Sequence, residues 1–140
     1  MPGVARDRLL TALAILMSLM AISNFSKPLG QHFDPNGNAG FVFFGTRLHG
    51  TANLIVGPLF GGLLAAYAYG VWTMRRWVVP IACIYAAYVI ANLIFFMLNP
   101  PPDQATRPGF MPFMLLYAAV AIGVSSGGAW YLARSRSRLR

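Results

Sequence analysis

Four long apolar runs, Leu9 to Phe25, Leu48 to Trp72, Trp77 to Leu98 and Phe110 to Ala133, contain no charged residue; all eleven basic and three acidic side chains lie between or around them. A membrane span needs about 17–25 predominantly apolar residues, and a charge at its centre costs at least about 2.5–3.5 kcal/mol, so this segregation predicts four transmembrane helices. The expected fold is an all-α membrane protein, a four-transmembrane-helix bundle with short loops forming a single domain over residues 1–140. The second and third runs are joined only by Thr73 to Arg76, which makes those helices antiparallel neighbours. The first run, with its basic start and Ala21-Ile22-Ser23, also resembles a secretory leader. Retention as a helix is preferred, because without it the basic residues no longer alternate around an even number of crossings.

The connections carry their own signals. Lys27-Pro28-Leu29-Gly30 reads as the start of a loop that includes His32, and Asp34-Pro35-Asn36-Gly37-Asn38 as a turn. Asp34, Asn36 and Asn38 match the first three ligand spacings of a calcium loop, but Ala39 and Gly45 occupy the places of its glycine and bidentate glutamate, so the turn reading stands. Phe41-Val42-Phe43-Phe44 is too short to span and is expected to lie at the interface or cap the helix ends. In the linker from Asn99 to Gly109, Pro100-Pro101-Pro102 is expected to be extended and stiff rather than helical. Pro80 and Pro112 sit in first turns; Pro58 falls mid-helix, where it frees the Leu54 carbonyl and introduces a kink.

The net charge of +8 fixes an orientation rather than a nucleic-acid partner. Arg6, Arg8, Arg75, Arg76, Arg134, Arg136, Arg138 and Arg140 fall on one side and only Lys27, Arg47 and Arg107 on the other, which places both termini in the cytoplasm. Trp72, Trp77 and Trp130 gather at the same side, where amphipathic rings favour the headgroup level, and the arginine-rich tail lies against anionic lipid. The predominance of arginine over lysine hints at a GC-rich bacterial source, hence a multi-pass protein of the bacterial inner membrane.

Candidate chemistry is sparse. Glutamate is absent, and Asp7, Asp34 and Asp103 all lie outside the runs, which argues against carboxylate acid/base chemistry or proton coupling within the bilayer. Cys83 has no thiol partner and reads as a small core residue. No phosphate loop, nucleophile elbow or zinc spacing occurs, so an enzyme is not expected, no metal site is assigned and no cofactor is identified.

Two constellations stand out. Small residues recur at four-residue spacing: Gly57, Gly61 and Ala65; Pro58, Gly62, Ala66 and Gly70; and Ala119, Gly123 and Gly127. Such rows let helices approach closely, either within the chain or against a protein partner or a second copy. The other is polar: His49 and Asn53 share one face of the second helix, and Tyr85, Tyr88 and Asn92 one face of the third, with Asn24 able to join the rim. Asn53 and Asn92 sit at similar depth, so a direct hydrogen bond between them is expected; the alternative is a site orienting the polar head of a lipid, quinone or pigment. His49 as a haem or chlorophyll ligand, with Gly45 leaving room, is the weaker reading beside an interfacial hydrogen-bonding role. The function expected from sequence is a small non-enzymatic accessory or structural subunit of a larger membrane complex. Its alternative is a binder or carrier of a hydrophobic small molecule through the polar cluster.

Overall fold

The computed structural model describes residues 7–34 and 40–140. Helix α1 (Arg8–Phe33) is followed by a hairpin of β1 (Val42–Phe43) and β2 (Thr46–Arg47), then α2 (Gly50–Trp72), α3 (Val78–Leu98), a single turn α4 (Pro102–Ala105), α5 (Phe110–Arg134) and a 3-10 turn at Arg136–Arg138. α1, α2, α3 and α5 are each long and apolar enough to cross a membrane. Their outward faces are as oily as their inward ones: Leu19, Ile22, Leu54, Leu59 and Leu116 are all exposed. Helices apolar all round belong in a lipid-like surrounding. Cys83, expected in the core, is on such an exposed face of α3.

The arginine end of the bundle is tied together by polar contacts. Asp7 caps α1, its carboxylate accepting from the Leu10 N–H at 2.9 Å and from the Tyr131 hydroxyl, with the Arg138 guanidinium 3.7 Å away. The Tyr131 and Leu10 hydrogen bonds hold the Asp7 carboxyl below its ordinary range. The C-terminal segment docks under the α2–α3 turn: the Arg76 N–H and Nε donate to the carbonyls of Arg140 and Leu139, and the Arg140 N–H donates to the Met74 carbonyl at 2.7 Å. Met74 occupies the left-handed position (φ +56°) that closes the C-terminus of α2, a place usually taken by glycine. Its side chain is nevertheless buried in the core.

α1 runs two turns beyond Phe25, through Pro28, where the sequence suggested a loop. Pro28 cannot donate to the Asn24 carbonyl, but α2 presents Gly57 there, close enough that a Cβ at 57 would lie 3.4 Å from that oxygen. The glycine lets α2 cover the interrupted turn, and the side-by-side packing of α1 and α2 carries the helix on to Phe33. Pro102, expected in an extended run, instead opens α4, where a first-turn proline needs no N–H partner.

Close packing joins α1 to α2 and α3 to α5, whereas α2 and α3 meet mainly near their short turn, at Gly70 against Trp77 and Val78. Proximity in sequence therefore did not make them the tightest pair. A core of Leu10, Met17, Leu64, Tyr67, Val71, Val78 and Leu132 fills the arginine half. Towards the other end α2 and α3 diverge, and the hairpin lies between them.

The small-residue rows divide by surroundings. A Cβ on Gly61 would approach the Phe25 ring at 3.2 Å and the Ala21 carbonyl at 3.3 Å, so Gly57 and Gly61 pack on α1. Gly62, Gly123 and Gly127 face open space. Gly61→Leu is accordingly expected to lower bundle stability by about 1–3 kcal/mol or more through overpacking, with Gly62→Leu close to neutral, in thermal unfolding of the purified protein in detergent. Equal effects would show that α1 does not press on that row. Tyr67 gives a prediction of opposite sign: its ring is wholly buried and its hydroxyl has no hydrogen-bond partner among the described residues. An unmatched buried hydroxyl costs about 1–3 kcal/mol, so Tyr67→Phe should raise the unfolding temperature.

Candidate functional site

The segment from Gly40 to Leu48 folds back between the helix ends as a two-residue hairpin. Phe44 (φ +44°) and Gly45 (φ +80°) both take left-handed backbone, the turn whose twist matches antiparallel strands. Gly45 is required for a second reason: a Cβ would meet the backbone of Phe95 and Phe96 on α3 at 2.7–2.8 Å, so the tip rests directly on that helix. Phe44, whose conformation costs about 1–2 kcal/mol in an L-residue, is held by edge-on contacts with Tyr88 and Phe95.

Polar side chains hold the hairpin by its main chain. Asn53, wholly buried, accepts from the Phe41 N–H at 2.8 Å through Oδ1 and donates through Nδ2 to Gln31 Oε1 at 2.8 Å. That bond fixes the orientation of the Gln31 amide, so its Nε2 donates to His49 Nδ1 at 2.9 Å. On the α3 side the Tyr88 hydroxyl donates to the Val42 carbonyl at 3.0 Å, and Asn92 Oδ1 accepts from the Gly45 N–H at 3.1 Å. Asn53 and Asn92 therefore do not bond each other. The sequence places them at matching depth, but the inserted hairpin supplies backbone N–H groups to both, and a buried N–H needs an acceptor as much as an amide needs a partner. His49, Asn53, Tyr88 and Asn92 are brought into one assembly around the hairpin; Tyr85 lies deeper, its hydroxyl reaching the Met20 sulfur at 3.7 Å.

Beneath the hairpin is a cavity of about 540 Å³ walled by α1, α3 and α5, with Phe60 of α2. Phe41 and Val42 form part of its roof, Tyr85 and Phe60 one wall, and Met17, Met20 and Met114 supply soft, adaptable surface. Near the arginine end Leu13 and Gly128 bring α1 and α5 into contact; farther out the two helices separate, and exposed Leu16, Tyr117 and Val120 flank a lateral mouth. The chain matches no protein-family model, and no curated protein or solved structure is significantly similar to it. The reading of the cavity rests on its own chemistry.

Two polar features mark it. Asn24 Nδ2 donates to the Met20 carbonyl at 2.8 Å, which turns Oδ1 the other way; that oxygen is buried and accepts no hydrogen bond from the described residues. One turn along α1, the Lys27 ammonium lies over the Phe41 ring, 4.7 Å from its centroid, with Arg47 on the same rim. Gln31 and Lys27 were not singled out from sequence, and Asn24 only as a rim residue. The signal was Asn24 and Gln31, seven residues apart and so on one face, but it is legible only if the helix is carried through Pro28. His32 likewise falls in the last turn of α1 rather than in a loop. The remainder of the acidic-amide turn, residues 35–39, lies outside the described residues.

Proposed function

We propose that this chain is a multi-pass protein of the bacterial inner membrane, with both termini cytoplasmic, that binds a hydrophobic small molecule in the cavity between α1, α3 and α5. The observation that carries the reading is the buried Oδ1 of Asn24, unmatched among the described residues, on a side chain that lines a largely apolar space of about 540 Å³, a volume within the ~300–1,000 Å³ of small-molecule sites. Leaving a buried acceptor without a donor costs about 1–3 kcal/mol, which a ligand hydroxyl or amine recovers. The mouth between α1 and α5 opens on their exposed apolar faces, so entry is sideways from lipid rather than through the hairpin end. The hairpin is the fixed roof of the site, and His49, Asn53, Tyr88 and Asn92 hold that roof while Tyr85 and Asn24 face the ligand.

Native mass spectrometry of protein extracted in mild detergent tests this. The wild type should carry a retained small molecule, and Ala121→Phe, which fills space from α5, should lose it while still unfolding in one cooperative transition. Particles of bare polypeptide mass from the outset would remove the reading.

A second reading, a subunit of a larger membrane assembly or a homo-oligomer, draws support from the row Ala119, Gly123 and Gly127. It lies on α5, and nothing among the described residues covers its two glycines.

A further inference from the structure

The ligand's head can be assigned a charge. Lys27 and Arg47 both line the cavity on the hairpin side, and among the described residues no carboxylate lines it. Among the described residues Lys27 forms no ion pair; its neighbour is the Phe41 ring, which offers a cation a face but no counter-charge. An anion lying between these two positive groups is attracted by both, and the attraction is stronger at the rim of an apolar space than in water. From Lys27 to Met17 at the closed end is ten residues of helix, about 15 Å at ~1.5 Å per residue, so an extended hydrocarbon chain lies along α1 with its head at the rim.

We infer that the occupant is an anionic amphiphile with one hydrocarbon tail in the cavity and a carboxylate or phosphate head at Lys27 and Arg47. This rests on the binding function proposed above and names its ligand class. The Asn24 oxygen, one turn deeper than Lys27, accepts from a hydroxyl next to the head, as in a glycerol ester. Arg47 also donates to the Gly40 carbonyl at 3.3 Å, so it ties the hairpin as well as the head, and Lys27 is the cleaner residue to vary.

The test compares three probes with the same acyl chain bound to full-length protein in detergent: a monoacylglycerol, its phosphate ester and the free fatty acid. At least one anionic probe should bind about tenfold or more tightly than the neutral monoacylglycerol. Preference for the phosphate ester alone names a phosphate head, and preference for the fatty acid alone a carboxylate. Lys27→Gln should abolish the preference, and Lys27→Arg should restore it, which also shows that the cavity survives substitution at this position. Equal affinity for all three probes, or a preference that survives Lys27→Gln, overturns the anionic head and leaves the cavity reading standing. If none binds, the cavity reading falls, and this inference with it.

Discussion

Asn53→Leu should cost the fold about 2–4 kcal/mol, because it orphans two groups at once: the Phe41 N–H, which Oδ1 accepts at 2.8 Å in a wholly buried position, and Gln31 Oε1, which Nδ2 reaches at 2.8 Å. Thermal unfolding in detergent reads the loss, and hydrogen exchange over Gly40 to Leu48 reads its location. The double variant Asn53→Leu with Asn92→Leu is more diagnostic. Had the two amides bonded each other, removing both would have been nearly neutral. Their partners are instead the separate N–H groups of Phe41 and Gly45, so the double variant should be at least as unstable as the worse single one. Recovery of wild-type stability would restore the direct pairing and contradict the seating of the hairpin.

Gly45→Ala should release the hairpin tip. The residue lies at φ +80°, which costs an L-residue about 1–2 kcal/mol, and the added Cβ would stand 2.7 Å from the Phe95 carbonyl carbon, part of a helix backbone that cannot yield locally. The tip must lift, losing the Gly45 N–H bond to Asn92 and the Phe44 contacts with Tyr88 and Phe95. A combined loss of about 2–4 kcal/mol follows, and under the proposed binding function retention of the small molecule should weaken too, because Phe41 and Val42 line the cavity. Gly50→Ala is the control: its φ is +57° but no described residue lies within 4 Å of the added Cβ, so only the backbone term of about 1–2 kcal/mol applies. If the two variants unfold alike, the tip does not rest on α3.

The apolar runs determined, by themselves, that this chain makes four long helices, because runs of this length without charge have one stable backbone solution in hydrocarbon. The capping of α1 by Asp7 and its neighbours is likewise local chemistry. Even the small rows were visible, since period four needs only the helix. Which neighbour each row met was not: Gly61 found Phe25 while Gly62, one residue on, found open space.

Tertiary structure alone decided the continuation of α1 through Pro28, which depends on Gly57 in another helix to cover the freed carbonyl, and the pairing of α1 with α2 and α3 with α5 rather than α2 with α3. It also decided the fate of the polar cluster. Residue types and depth could show that Asn53 and Asn92 need partners, but not that Phe41 and Gly45 bring backbone donors between them. The cavity was the least legible feature of all. A void is made where side chains fail to meet, as where α1 and α5 part beyond Leu13 and Gly128, and no single residue in a sequence records that distance.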